Sequence, residues 1–463
     1  MIRLFGHYIQ RTFVLLGLIE LLLLGFSMLA AQTVRLAIEG RFDPAALGQN
    51  FLPEATIYAG IFWLSMVSLG LYQRETANDL WMTFIRLLAS FALGFVLLTI
   101  LIYVFRDIGI WRSALAIAIP LSLLLLLASR WIFLRISHLD TFKRRILVIG
   151  IGKNAAKIAE LARRESPSFV CVGFVALTDI APEVPEEQVY RGVNSILDLA
   201  QNEKVDEIVV APADRRAGLP MRDLLTCKSA GIRIVEYATF FERETGKVDL
   251  DALHPSWLIF SENFAASRPQ QVLKRIFDIT ASLLLLVFSL PVLILTAIGI
   301  KLTSPGPVFY RQERVGRDGK TFMLLKFRSM RTDAESDGVP RWAAEKDSRV
   351  TRIGAFIRTT RIDEIPQIFN VLKGDMSFIG PRPERPFFVE SLSMEIPYYE
   401  ERHQVKPGIS GWAQLNYPYG ASVADAREKL SYDLYYIKNY SIFLDLIVLM
   451  QTVRVVIWPQ GVR

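Results

Sequence analysis

The chain predicts an α/β membrane protein in three parts: a four-helix membrane region over residues 1–140, a doubly wound parallel α/β domain over 141–262, and a mainly α domain over 268–463. Three observations carry this reading. Of 463 residues 52% are hydrophobic, and the excess is gathered into stretches at 12–31, 55–72, 87–105 and 113–134, each close to the roughly 20 residues that cross a bilayer. After the basic run at 143–145, short apolar runs alternate with helical ones, the pattern of a parallel sheet with crossover helices. A fifth apolar stretch at 279–302 has Pro291 in its middle and is followed by a region dense in charge, glycine and proline.

The first apolar stretch has Arg3 and Arg11 ahead of it and Ala30 and Ala31 behind, which imitates a secretion signal; its length predicts a retained anchor. Orientation follows from the loop cations. Arg3, Arg11, Arg74, Arg86, Arg135, Lys143, Arg144 and Arg145 lie on one side of the four spans, whereas the other side has only Arg35, Arg41, Arg106 and Arg112. The positive-inside rule then predicts that the N-terminus and everything after residue 135 lie on the cytoplasmic side of the membrane.

In the middle domain, Ile146 to Gly150 reads as a buried strand, followed by Gly152 and a helix over Ala156 to Arg164. Phe169 to Ala176, Glu207 to Ala211 and Ile232 to Glu236 read as further strands, giving a Rossmann-like domain. The spacing of Gly150, Gly152 and Ala155 approximates a dinucleotide fingerprint. The first acid near the end of the second strand, Asp179, comes later than a ribose-binding acid should, so a regulatory or structural domain is the expectation.

Pro291 removes a hydrogen bond from the fifth stretch and clashes with the preceding turn, so the helix should kink or break. Lys274 and Arg275 precede the stretch and Lys301 follows it. Cations at both ends suit a helix that enters the membrane and returns over about 275–302, while a proline-kinked span stays open on the residues alone. A span would carry the acid pair discussed below to the outer face, so re-entry is the expectation. The last apolar stretch, Ile442 to Trp458, is interrupted by Asp445, Gln451 and Arg454 and reads as an interfacial amphipathic helix.

Two cysteines, Cys171 and Cys227, and four scattered histidines exclude a disulfide framework and a zinc site, so any metal should be a hard cation on carboxylates. The net charge of +7 sits beside apolar segments, without interleaved aromatics. That argues for membrane lipids and phosphorylated substrates as partners, with no nucleic acid.

Between 311 and 331, seven Arg and Lys residues are opposed by Glu313 and Asp318 alone. Gly319-Lys320-Thr321 ends like a Walker loop but has Arg314 where the first glycine belongs. Asp363 and Glu364 then stand side by side in Arg358-Thr-Thr-Arg-Ile-Asp-Glu-Ile-Pro-Gln-Ile-Phe-Asn370. Ile365, Ile368, Phe369 and Leu372 have the spacing of a buried helical face, with Gly374 as a stop, which puts Asp363 near the N-cap. Asp363 can be an ordinary cap there; equally, a helix start receives phosphate beside a carboxylate. Adjacent helical residues point about 100° apart, so the two acids should have separate roles.

The segments Lys274-Arg-Ile-Phe-Asp278, Gly306-Pro-Val-Phe309, Lys326-Phe-Arg-Ser-Met330, Asp363-Glu-Ile-Pro-Gln367, Asn370 to Met376, Pro381-Arg-Pro383 and Lys406-Pro-Gly408 run in one order over about 190 residues. In these the chain resembles the bacterial sugar transferases, monotopic polyprenyl-phosphate phosphoglycosyl transferases. The four spans and middle domain resemble the large members that initiate exopolysaccharide or O-antigen synthesis. The resemblance implies transfer of a sugar-1-phosphate from a UDP-sugar to undecaprenyl phosphate with release of UMP, and a homodimer as the assembly. It also implies Asp363 as nucleophile of a covalent phospho-sugar intermediate and Glu364 as a ligand of Mg²⁺. Pro291 would break the re-entrant helix, with Lys274, Arg275 and Asp278 at its membrane entry; Lys326, Arg328, Arg358 and Arg382 would be the phosphate-side cations. Where the family has serine directly before the breaking proline, this chain has Leu290, with Ser289 one position earlier. A membrane-bound sugar-nucleotide dehydratase or epimerase would need a Tyr-x-x-x-Lys pair, which the sequence lacks. A nucleotide-sensing scaffold would leave the acid pair and arginines without purpose.

Overall fold

A computed structural model describes residues 2–457 apart from positions 5, 10, 41–46, 74–78, 107, 138–142, 165–166, 178–180, 213–217, 254–266, 333, 335–348, 419 and 421. Asp179 lies outside the described residues. Two compact units result: Gln10–Ala252, and Met1–Ile9 together with Leu253–Arg463. The expected first region thus gives up its first nine residues to the C-terminal domain, as the short hairpin β1 (Ile2–Leu4) and β2 (His7–Ile9).

In the first unit, α1 (Arg11–Ile38), α2 (Leu47–Ser68), α3 (Leu80–Val104) and α4 (Arg112–Ser137) realise the four predicted apolar stretches. They pack around Met28, Tyr58, Phe62, Phe91 and Leu126. Outward faces stay apolar, with Leu22, Phe26, Val96 and Leu124 exposed, as a lipid environment requires. One buried ion pair joins first helix to last, Arg130 to Glu20 at 2.8 Å, with the Tyr72 hydroxyl donating to Glu20 at 2.6 Å. Arg130 also donates to the Leu71 carbonyl at 3.0 Å. Such intramembrane charges persist only when paired and hydrogen-bonded.

The α/β domain of the same unit follows as β3 (Arg144–Ile149), α5 (Lys153–Ala162), β4 (Phe169–Val175), β5 (Val189–Tyr190), α6 (Ile196–Asn202), β6 (Glu207–Val210), α7 (Met221–Ser229), β7 (Arg233–Glu236) and α8 (Tyr237–Thr245). The sheet is parallel with order β5-β4-β3-β6-β7, doubly wound as expected. The two-residue β5 was too short to stand out in the sequence. Apolar side chains line both faces, because helices cover both. Gly150 takes φ +124°, and a Cβ there would lie 2.4 Å from the Ala211 carbonyl oxygen. Gly152 is the N-cap of α5. Close packing of the strand ends thus suffices to require glycine at 150.

The second unit continues with α9 (Arg268–Thr303), the antiparallel hairpin β8 (Phe309–Val315) and β9 (Thr321–Phe327), α10 (Arg352–Thr359), a 3₁₀ turn at Ile362–Gln367, α11 (Ile368–Lys373) and β10 (Ser377–Ile379). It ends with α12 (Pro386–Glu395), β11 (Gly408–Ser410), α13 (Trp412–Asn416), α14 (Val423–Lys438) and α15 (Ile442–Ile457). β10 and β11 pair in parallel, Ser377 with Gly408 and Ile379 with Ser410.

Helix α9 continues through Pro291, so the expected break does not interrupt it, as membrane helices tolerate proline; its amphipathicity is inverted. Lys274, Asp278, Ser282, Ser289 and Thr296 are buried, whereas Leu284, Val287, Phe288 and Leu295 are exposed. By length and composition it is a fifth helix able to cross a membrane. Its two ends are nevertheless held by neighbouring parts of one domain. At the N-terminal end, Arg275 donates to the carbonyls of Val371 and Leu372 at 2.6 and 2.7 Å. Lys274 pairs with Asp445 of α15 at 2.9 Å, and Asp278 accepts from Ser377 Oγ and Phe378 N. At the other end, Ile300 packs with Phe327 and Ile357, joined by Ile353 and Ile362. Arg328 closes that end by donating to the carbonyls of Ser304 and Pro305.

Candidate active site

The acids Asp363 and Glu364 are carried by the 3₁₀ turn between α10 and α11. Arg361 takes φ +59° and is the residue that caps this turn, so Asp363 falls inside its first turn instead of at the N-cap. The expected buried face is also rotated: Ile368 and Val371 are buried, but Phe369 is 44% exposed. The 3₁₀ turn, three residues per turn, shifts the register that an uninterrupted α-helix would keep. Gly374 does stop α11, at φ +102°.

That rotation buries both carboxylates and gives them different neighbours. Glu364 is gripped by three cations: Arg382 at 2.6 Å, Lys326 at 3.1 Å and Arg361 at 3.6 Å. Among the described residues no side chain or backbone donor reaches the Asp363 carboxylate. Burial pushes the Asp363 pKa up, and Lys326 and Arg382 counter it while the Glu364 charge adds to it. Burial would raise Glu364 as well, but Arg382 and Lys326 overcome it and hold that carboxyl well below the usual range. Lys326 is itself lowered by burial, against the pull of Glu364. The site therefore holds one acid locked as an anion and one that is buried and free of donors.

Each cation is placed by its own strand or loop. Lys326 stands near the end of β9, and β9 is fixed to α11 by Asn370, whose side chain accepts from Leu325 N at 3.0 Å and donates to Met323 O at 2.8 Å. Arg382 sits in the Pro381-Arg382-Pro383 loop directly after β10. Two backbone bonds to the β11 region, Gly380 N to Ser410 O and Gly408 N to Pro381 O at 2.9 Å each, hold that loop. Buried Arg402 holds it from the other side, donating to the Arg382 carbonyl at 2.9 Å while pairing with Asp433 of α14 at 2.8 Å. Burial raises Asp433 to about 6 even beside Arg402, which marks how dry this support is.

Of the residues singled out from sequence, Asp363, Glu364, Lys326 and Arg382 converge. Arg328, Lys274, Arg275 and Asp278 do not; they tie the ends of α9 to the domain, as described above. The Arg358 side chain, on α10, makes no hydrogen bond or ion pair among the described residues. Arg361 was not singled out, and Arg402 and Asp433 carried no sequence signal. Pro291 lies within α9, and the buried Ser289 Oγ two residues earlier finds no partner.

Among the described residues no group of three or more His, Cys, Asp or Glu side chains is placed to hold a metal ion. The site therefore offers a metal two carboxylates. That donor set suits Mg²⁺, which takes one or two carboxylates and fills its remaining positions with substrate phosphate oxygens and water.

Known proteins resemble the chain over the region that carries this site. The bacterial sugar transferase family profile matches residues 269–459, which contain every residue of the site, and a CoA-binding domain profile matches 67–222. A UDP-N-acetylgalactosamine-undecaprenyl-phosphate N-acetylgalactosaminephosphotransferase of Aeromonas hydrophila is 44% identical over 250 residues, 54% of this chain and 58% of that protein, so less than two thirds of its length is spanned. UDP-glucose:undecaprenyl-phosphate glucose-1-phosphate transferases of Escherichia coli and Caulobacter vibrioides are 43% and 41% identical. These matches take in 40% of this chain and 40% of the E. coli protein, and 39% of this chain and 68% of the C. vibrioides protein. With a matching family profile and a relative covered over two thirds of its length, this chain belongs to the bacterial sugar transferase family.

Proposed function

We propose that the chain transfers a sugar-1-phosphate from a UDP-sugar to undecaprenyl phosphate, releasing UMP, by way of a covalent intermediate on Asp363. The observation that carries this reading is the unequal pair: Glu364 bound by three cations, Asp363 buried beside it with no donor. A carboxylate that accepts no hydrogen bond keeps its lone pairs for attack.

In the first step an Asp363 oxygen attacks the phosphorus that bears the sugar. The P–O bond to the bridging oxygen breaks, and its electron pair leaves with UMP. In the second, an oxygen of undecaprenyl phosphate attacks the same phosphorus and Asp363 departs as carboxylate, regenerating the enzyme. Lys326, Arg382 and Arg361 neutralise the anions that must converge. Mg²⁺, held by Glu364, would supply further charge neutralisation on the pyrophosphate. Lys274, Arg275, Asp278 and Arg328 act indirectly, by fixing the membrane element against the site.

We further propose that the catalytic unit lies on the cytoplasmic face, with α9 bending at Pro291 so that it enters the inner membrane and returns. A helix that crossed would set its ends on opposite faces, roughly 30 Å apart across the hydrocarbon, whereas both ends of α9 are bound to the one segment 353–371. A cysteine replacing Thr303 should therefore react with a membrane-impermeant maleimide in inverted vesicles alone; labelling in right-side-out vesicles would overturn re-entry.

The function is tested by incubating purified protein with Mg²⁺, undecaprenyl phosphate and a panel of UDP-hexoses and UDP-N-acetylhexosamines. UMP release with at least one donor, dependent on the lipid phosphate for multiple turnovers, is the expected result. Absence of UMP with every donor would refute the reading.

A further inference from the structure

The hairpin β1–β2 is joined to the catalytic domain through His7. Its ring lies edge-on to Trp412 of α13, with centroids 5.3 Å apart, and Nδ1 is 2.9 Å from the Tyr435 hydroxyl of α14. Burial lowers the His7 pKa to about 4, so at neutral pH the ring is uncharged and can accept from that hydroxyl. Gly6, at φ +90°, brings the hairpin turn against Asn439, where a Cβ would stand 3.1 Å from the side-chain oxygen. Asn439 in turn donates to the Tyr435 carbonyl at 2.9 Å.

The two residues that His7 touches belong to the two supports of the Arg382 loop. Trp412 directly follows β11 and its neighbour Gly411, whose strand holds Gly380 and Pro381. Tyr435 is two residues from Asp433, the partner of Arg402, which holds the Arg382 carbonyl. Trp412 and Tyr435 also stack on each other, with centroids 5.9 Å apart. His7 thus bridges these supports from outside residues 269–459.

We propose that residues 2–9 are an intramolecular docking element whose seat on Trp412, Tyr435 and Asn439 positions the Arg382 loop for catalysis. Its occupant is the segment that leads into α1, which begins at Arg11, two residues beyond β2. This role rests on the transferase reading above. His7 is a positioning residue, remote from the reacting atoms.

The test uses the full chain with His7→Ala, Tyr435→Phe, both together, and a variant with residues 2–8 replaced by Gly and Ser. Thermal melting is read without substrate, so docking is judged apart from activity. His7→Ala and Tyr435→Phe should be non-additive in melting, the double variant falling little below His7→Ala. UMP release per folded molecule should drop about fivefold or more in His7→Ala and in the Gly/Ser variant, and Tyr435→Phe should act weakly once His7 is gone. Additive melting effects would show that the contact is absent, and wild-type UMP release by the Gly/Ser variant would show that docking does not serve the site; either overturns the proposal. No UMP release by the wild-type protein, with coupled melting intact, would instead refute the transferase reading and with it the catalytic role of the hairpin, leaving the dock itself established.

Discussion

Asp363→Asn is expected to lower UMP release by about a thousandfold or more, since removing a covalent nucleophile takes away the bond-forming step itself. The substitution is nearly isosteric and leaves the three cations on Glu364 undisturbed, so folding should be retained. In a single turnover without lipid acceptor, wild-type protein should keep sugar-phosphate label through denaturation while the Asn variant keeps none. Turnover of the variant within tenfold of wild type would remove Asp363 from the mechanism. The pH profile gives a second check. The Asp363 pKa is raised, chiefly by burial, so it ionises later than an ordinary carboxyl as pH rises. Activity should therefore fall on the acid side at a pH above the ordinary aspartate value of about 4.

Glu364→Gln should cost at least about a hundredfold in UMP release, through two routes that can be separated. It removes the carboxylate proposed to hold Mg²⁺, and it leaves Arg382, Lys326 and Arg361 without the anion that gathers them. Breaking a fully buried pair costs about 3–5 kcal/mol. Arg382 and Arg361 retain side-chain exposures of 26% and 34%, so water limits the loss to less than that. A lowered melting temperature is expected, with the protein still folded. Because the Glu364 charge helps to raise Asp363, its removal should move the residual activity's acid limb to lower pH. A limb that stays in place, with near wild-type turnover, would mean that the two acids do not share a site.

Much of this was legible in the sequence for physical reasons. Twenty-residue apolar runs and strand-length apolar runs have few alternative folds, so the membrane helices and the parallel sheet could be placed from composition. Asp363 and Glu364 stood out by the cations and the helix start beside them, whereas Lys326 and Arg382 were named through the resemblance to the sugar transferases. Arg361 could not be chosen, because its importance comes from a left-handed backbone at a residue type that rarely adopts it. That turn replaces the expected cap and lets Arg361, three residues before Glu364, reach that acid, a contact with no sign in the sequence. Arg328 and Arg275 instead bind backbone carbonyls, because a guanidinium suits helix-end carbonyls as well as it suits phosphate. The hairpin at residues 2–9 escaped notice because three-residue strands leave no periodicity, and its partners Trp412 and Tyr435 lie over 400 residues away in sequence.

The clamps on α9 also set a vertical scale. Ile362 packs in the cluster around Ile300, and the next residue in the chain is Asp363. With Asp363 as the proposed nucleophile and α9 as the proposed membrane element, the carboxylate is levelled against the apolar surface of α9, as a float is levelled against a waterline. One helical turn is about 5.4 Å, so sliding the clamp by a single turn would lift the nucleophile clear of a phosphate confined to the headgroup layer. On this view the helix does more than anchor: it gauges depth, and the acceptor's fixed height in the bilayer selects where along α9 the domain must grip.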